Sequence, residues 1–178
     1  SYAMATVWHL AKTHRVSFAN TGRSGATTHD VARKQLKEAA SYKPDIVLIG
    51  VGANDVTHLT RDKTVEEAMK TIVHGLKAAS PDVQIIITGA AAMDAIDRFT
   101  WPVKRLAYVR VTSLNKTFSR IAEENNLIWA PIADKTRPAF KADPTLFAED
   151  KFHPNARGYA LWTAVIIPAL EQALVKRP

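Results

Sequence analysis

The sequence predicts an α/β fold in which a parallel sheet carries helices on both faces. Segments with strand and helix patterns alternate along the 178 residues. The run DIVLI at residues 45–49 is continuously apolar after its first residue, which is typical of a strand covered on both faces. The helical segments carry apolar residues three and four positions apart. We expect a single domain over residues 1–178, without internal repeats.

The predicted elements follow one another in a regular order. A first helix covers about residues 3–14, a short strand 16–19 and a second helix 29–40. After the strand at 45–49, Thr64 and Glu67 form a capping-box pattern that predicts the start of a long helix. The rest of the chain is predicted as a strand at 83–87, a helix around 107–121, a strand at 127–132, a loop over 133–149 and a closing helix capped by Asn155.

Composition excludes several classes of site. The chain has no cysteine, so disulfides, thiolate metal sites and cysteine catalysis are ruled out. The net charge of +7 comes from 24 basic and 17 acidic residues, but the basic residues are scattered. Solvated helix faces therefore explain the charge better than a nucleic-acid-binding surface. No apolar run is expected to reach the length that spans a bilayer.

An acid and a base stand three residues apart just before the closing helix. Asp150 can hold the imidazole of His153 in one tautomer, which is the arrangement that activates a hydroxyl nucleophile. The alternatives are a turn carboxylate and an ordinary surface histidine. The pairing of the two residues at this position favours catalysis.

Polar residues also follow the first two predicted strands. Gly25 comes after the first strand and Asn54 after the second. Because the carboxyl ends of parallel strands meet at one edge of a sheet, where ligands bind, we expect both residues to lie near Asp150 and His153. Asn54 could donate its amide hydrogens, and Gly25 its backbone N–H, to a developing oxyanion. The alternatives are a structural Asn-Asp turn at Asn54 and a plain loop glycine at Gly25.

A second acid and histidine repeat the same spacing. Asp55 and His58 directly follow the glycine turn, and with Asp150 and His153 they could in principle hold a divalent metal. Nothing in the sequence favours that site over a solvated pair, so no metal is expected.

Together these motifs resemble the SGNH hydrolases of the GDSL esterase/lipase superfamily. Residues 20–25 (NTGRSG) are similar to the second block of that family, 52–55 (GAND) to the third and 150–154 (DKFHP) to the fifth. The resemblance implies a flavodoxin-like three-layer α/β/α sandwich. It also implies that Gly25 and Asn54 form the oxyanion hole, and that Asp150 and His153 are the acid and base of a triad.

The first block of the family, a Gly-Asp-Ser with the nucleophilic serine, has no counterpart in this chain. The resemblance therefore places the first strand and the nucleophile upstream of Ser1, in a chain that is N-terminally incomplete. Ser1 itself is the lesser alternative, and Ser24 is interpreted as a loop residue of the second block. The chain starts without a signal-peptide pattern, and its compartment is left open.

The resemblance implies a carboxylic ester hydrolase that uses a Ser-His-Asp acyl-enzyme mechanism and needs no metal or organic cofactor. Its substrate would be a small-molecule ester: a short acyl ester, a lysophospholipid, an acyl thioester or an acetylated sugar. Bulky apolar residues of two loops could border an acyl pocket, or could simply pack the loops down; they are Met93, Phe99, Trp101, Phe140 and Phe147.

Two other classes of function stay open at this point. The chain could be a non-catalytic relative that binds a carbohydrate or lipid through the same sheet edge. It could also be a flavodoxin-like nucleotide-binding module. Against the second, the glycines form no phosphate-cradling loop that opens a helix after a strand.

Overall fold

A three-stranded parallel sheet is the centre of the structure, a computed structural model that describes residues 2–176. The strands are β1 (Ile46–Ile49), β2 (Gln84–Ile87) and β3 (Ile128–Trp129), and β2 lies in the middle. The register places Ile49 opposite Ile87, and Ile87 opposite Trp129. The carboxyl ends of the three strands therefore lie side by side at one edge of the sheet.

Helices connect and cover these strands. They are α1 (Tyr2–Leu10), α2 (Thr28–Asp30), α3 (Leu36–Ser41), α4 (Ala53–Thr57), α5 (Asp62–Ala79), α6 (Trp101–Glu124), α7 (Ile132–Ala142) and α8 (Ala156–Val175). A π-helical turn at Val31–Gln35 joins α2 to α3, and 3₁₀ turns occupy Met93–Ala95 and Pro144–Leu146.

The central strand buries side chains on both faces of the sheet. Ile85 and Ile87 belong to one core, which α5 and α6 complete with residues such as Met69 and Phe118. Ile86 points to the other face and belongs to a second core that α8 completes. All three isoleucines are at most 1% exposed. The predicted α/β class, with a parallel sheet between two helical layers, is confirmed.

Three local predictions were wrong. Residues 16–19 form no strand, because a strand needs a hydrogen-bonding neighbour and none of the described strands lies beside them. Helix α5 begins at Asp62, before Thr64, and its N-cap Arg61 makes no side-chain capping bond. The first part of the predicted loop over 133–149 belongs to α7, whose helical pattern is interrupted in the sequence by Pro138.

The closing helix is longer and more apolar than expected. Helix α8 has 20 residues and a mean hydropathy of 1.3, so by length and composition it could cross a membrane, contrary to the expectation that no run reaches that length. Buried positions make up 28% of the 18-residue window of α8 that has this hydropathy. Its inward-facing residues, among them Ile166 and Leu170, pack in the second core, as those of core helices in water-soluble proteins also do.

Candidate active site

The turn at residues 150–153 orients the imidazole of His153. Asp150 Oδ1 accepts hydrogen bonds from the backbone N–H groups of Phe152 and His153, both at 2.9 Å. Lys151 adopts a left-handed conformation, with φ of 53°, which turns the chain back on itself. The other carboxylate oxygen, Oδ2, lies 2.6 Å from His153 Nδ1. The carboxylate therefore fixes both the backbone of the turn and the side chain.

This contact determines which imidazole nitrogen is free. The side-chain hydrogen bond from His153, together with those from the backbone N–H groups of His153 and Phe152, lowers the pKa of Asp150 to about 2. Because the ionised carboxylate only accepts, Nδ1 carries the proton and donates it. Nε2 of the neutral ring is then the atom that can accept a proton from a nucleophile.

Packing and capping hold the turn in place. The ring of Phe152 meets the His153 ring edge to face, with their centres 5.0 Å apart. Asn155 Oδ1 accepts from the N–H groups of Arg157 and Gly158 at 3.0 and 3.1 Å, so Asn155 caps α8 as predicted. The histidine therefore sits between a capped helix and a hydrogen-bonded loop.

Asn54 is delivered by the turn that leaves β1. Gly52 has φ of 116°, a conformation that favours glycine, and an added Cβ there would lie 3.0 Å from Ala90 Cβ. The chain then enters α4, and Asn54 Nδ2 donates to the Ala26 carbonyl at 3.0 Å. An amide nitrogen carries two hydrogens, so the second remains available to a ligand.

A buried carboxylate joins the loop of Gly25 to the turn of Asn54. Asp55 Oδ2 accepts from the Thr28 N–H at 2.9 Å and from its hydroxyl at 2.8 Å. The side chains of Asp55 and Thr28 belong to residues that are fully buried, each 0% exposed. These bonds hold the loop that carries Gly25 against the turn that carries Asn54.

The turn after the central strand is fixed by a buried amide. Asn115, on the core face of α6, accepts from the Ala90 N–H at 2.8 Å and donates to the Ala90 carbonyl at 3.0 Å. This pair of bonds satisfies both backbone groups of Ala90. It fixes the loop after β2, which lines part of the site.

A cavity of about 550 Å³ lies at this edge of the sheet. Gly25, Asn54 and His153 all line it, as does Ser24, while Asp150 lies behind the histidine and is not among the lining residues. The structure therefore brings the predicted base and the two predicted oxyanion donors to one cavity. Their catalytic roles stay predictions, and Ser1 lies outside the described residues.

The apolar residues that were predicted to border an acyl pocket separate into two groups. Met93, Phe140 and Phe147 line the cavity. Phe99 instead packs against Phe152, with ring centres 5.9 Å apart and edge-to-face geometry. Trp101 lines a separate groove on the outside of α6.

The second acid and histidine do not form a pair. Asp55 binds Thr28, and His58 Nδ1 donates to the Asn54 carbonyl at 2.7 Å. Across residues 2–176, no three histidine, aspartate or glutamate side chains are grouped so that they could hold a metal ion.

Sequence reasoning missed Thr28, Asp55 and Asn115 as residues that fix the site. Asn115 occupies an otherwise apolar face between Val111 and Phe118, and a polar residue there must find a partner. Thr27 begins a capping box with Asp30, which would have located the start of α2 and the neighbouring Thr28.

Several known proteins are similar to this chain. Rv1075c, a GDSL-like esterase of Mycobacterium tuberculosis (strain ATCC 25618 / H37Rv), is 26% identical over 136 residues, which are 75% of this chain and 42% of that protein. The chain therefore spans less than half the length of that relative. This comparison is of sequence alone.

Solved structures share the fold. A catalytic mutant of Axe2, an acetylxylan esterase from Geobacillus stearothermophilus, has a TM-score of 0.79 at 20% identity, over 95% of this chain and 80% of that one. LAE5, an α/β hydrolase enzyme from the metagenome of Lake Arreo in Spain, has a TM-score of 0.75 at 20% identity, over 98% and 81%. The model of one family, the GDSL-like lipase/acylhydrolase family, matches residues 2–161. Because the family model matches nine-tenths of the residues of this chain, the chain belongs to the GDSL-like lipase/acylhydrolase family.

Proposed function

We propose that this protein is a serine esterase that hydrolyses small-molecule carboxylic esters through an acyl-enzyme. The observation that carries the proposal is the single cavity lined by His153, Asn54 and Gly25, with Asp150 bonded to the histidine from behind. A base and oxyanion donors that face one space are the parts that acyl transfer requires. We further propose that residues 1–178 are one domain, which the cores on both faces of one sheet support.

The nucleophile of this proposal is a serine upstream of Ser1. Its hydroxyl oxygen attacks the ester carbonyl carbon while Nε2 of His153 takes the hydroxyl proton. The oxyanion accepts hydrogen bonds from the Gly25 N–H and from the second amide hydrogen of Asn54. Asp150 stays ionised and stabilises the imidazolium.

The second half of the reaction reverses these roles. The bond between the carbonyl carbon and the leaving oxygen breaks, and the alcohol takes the proton from His153 Nε2. Water then attacks the acyl-serine, and the histidine accepts a proton from that water. The bond from the acyl carbon to the serine oxygen breaks, the serine oxygen takes the proton back from His153 Nε2, and the carboxylic acid is released. No step draws on a metal or an organic cofactor.

The relatives support this assignment. Catalytic mutants of the Geobacillus acetylxylan esterase replace a serine, and an aspartate and a histidine that lie three positions apart. The spacing is that of Asp150 and His153 in this chain. Acetylated saccharides are therefore one substrate class to test beside short acyl esters, thioesters and lysophospholipids.

Hydrolysis of p-nitrophenyl acetate tests the proposal. The protein should be assayed with its natural upstream sequence, and His153→Ala should lower kcat by roughly 10²-fold or more, because the general base is removed. His74→Ala is the matched control, since His74 is exposed on α5. Ser24→Ala should retain activity. A loss of less than about tenfold in His153→Ala would contradict its role as the general base. An inactive parent protein would instead favour a non-catalytic binding module.

A further inference from the structure

A second groove, of about 670 Å³, lies on the outside of the molecule beside the active-site cavity. One wall is the first two turns of α6, where Trp101, Lys104, Arg105 and Tyr108 occupy positions i, i+3, i+4 and i+7 and so share one face. The opposite wall comes from the end of α7. The floor is the loop that contains Asp94 and Asp97, which follows β2.

The buried acid of this groove is already neutralised. Asp94 is 3% exposed, and Arg137 Nε donates to its Oδ1 at 3.1 Å. Lys141 Nζ forms an ion pair with Oδ2 at 2.9 Å. Both cations also lie over the Tyr108 ring, 5.2 and 5.9 Å from its centre. Arg137 also pairs with Asp134 at 3.2 Å, so the two cations are matched by two carboxylates.

The cations on the α6 wall have no such partner. The side chains of Lys104 and Arg105 form no ion pair or hydrogen bond with any residue in the described range 2–176. The remaining acid that lines the groove, Asp97, is exposed and likewise unpaired within that range. With Asp94 neutralised, the groove is left with an excess of positive charge next to the exposed indole of Trp101.

The groove and the active-site cavity share a boundary. Phe140 lines both spaces. The 3₁₀ turn Met93–Ala95 separates them, with Met93 lining the cavity, and Asp94 and Ala95 lining the groove. A ligand that projects from the cavity past this turn would therefore reach the cations of α6.

We propose that this groove binds a negatively charged group, a phosphate or a carboxylate, on the leaving alcohol of the ester. The inference rests on the proposed esterase function. Lys104 and Arg105 would hold the anion, and Trp101 would pack against the carbon skeleton that joins it to the ester. The groove is then a specificity site that selects anionic esters over neutral ones.

Three acetate esters test the selection: phenyl acetate, 4-acetoxybenzoate and 4-acetoxyphenyl phosphate. In the double variant Lys104→Gln/Arg105→Gln, we expect kcat/KM to fall about tenfold for at least one of the two charged esters and less than about twofold for phenyl acetate. The charged ester with the larger fall shows whether the groove prefers a carboxylate or a phosphate. The difference between variant and parent should shrink at high salt.

Lys116→Gln is the matched control, because Lys116 is an exposed lysine farther along α6 that does not line the groove. It should leave all three substrates unchanged. An equal loss for charged and neutral esters, or no loss for any of them, would overturn the proposal.

Direct binding separates this inference from the esterase proposal. If the parent protein hydrolyses none of the three esters, calorimetric titration with phenyl phosphate and with benzoate still measures the groove. We expect the Kd of at least one ligand to rise about tenfold in the double variant and to stay unchanged in Lys116→Gln. Equal affinities in all proteins, or no detectable binding to the parent, would overturn the proposal.

Discussion

The contact between Thr28 and Asp55 provides a direct test of how the site is held together. Thr28→Val replaces the hydroxyl with a methyl group of similar size, so packing is kept and one hydrogen bond is lost. The lost bond is the 2.8 Å contact to Asp55 Oδ2, and the 2.9 Å bond from the Thr28 N–H remains. The other carboxylate oxygen of Asp55 is buried without a hydrogen-bond partner in the described structure, so it cannot compensate.

The cost follows from burial and charge. Both residues are 0% exposed, so no water replaces the lost donor. A hydrogen bond to a charged group is worth about 1.5–3 kcal/mol, and we expect Thr28→Val to lower the free energy of unfolding by that amount. For a domain of this size the corresponding fall in Tm is roughly 3–12 °C. The loop that carries Gly25 also loses a tie to Asn54, so kcat should fall as well.

Urea unfolding of the variant and parent measures this difference, with the m-value expected to stay constant. Thr71→Val is the control, because Thr71 is exposed and its hydroxyl donates to the Glu67 carbonyl within α5. That change should stay within about 0.5 kcal/mol of the parent. If Thr28→Val were as stable as Thr71→Val, the buried contact would not hold the site.

Three further predictions concern the proposed catalytic groups. Asp150→Asn should lower kcat by roughly 10³–10⁴-fold in ester hydrolysis, because the wrong imidazole tautomer is then favoured. Circular dichroism should show little change in the fold, and a loss of kcat below about tenfold would contradict the assigned role. Gly25→Ala should destabilise the protein by about 1 kcal/mol in urea unfolding. Gly25 has φ of 78°, and because an added Cβ meets no atom within 4 Å, the cost is backbone strain alone. Unchanged stability would show that the loop adapts. The Asp150 carboxyl carbon should titrate in NMR near pH 2, because the hydrogen bond from His153 lowers the pKa of Asp150 to about 2. Since this pKa is lower in the folded than in the unfolded protein, the contribution of Asp150 to stability is present above about pH 4 and is lost as the pH falls toward 2; a midpoint near 4 would contradict the bonded pair.

The sequence predicted the strands of the sheet and the contact between Asp150 and His153 because both depend on local patterns. Buried strands read as apolar runs, and β1 and β2 lie within the predicted segments. Asp150 and His153 are three residues apart in one turn, and this short separation brings their side chains into contact. Asn155 caps α8 for the same reason: a cap is a local hydrogen bond.

The remaining contacts depend on residues that are distant in sequence. Thr28 and Asp55 are 27 positions apart, and Asn115 reaches Ala90 across 25. The spacing of apolar residues along the sequence does not predict which buried polar groups contact each other across a core. The second groove was missed for a related reason, since its walls come from α6 and α7, and α7 was predicted as a loop.

Labelling with a fluorophosphonate probe tests the central claim most directly, because the probe reacts with a serine only when a neighbouring base activates it. The protein with its natural upstream sequence should take up one label, which peptide mapping should locate on a serine upstream of Ser1. His153→Ala should lose that label, and His74→Ala should keep it. An unlabelled parent protein, a label on Ser24, or equal labelling of the parent and His153→Ala would contradict the account.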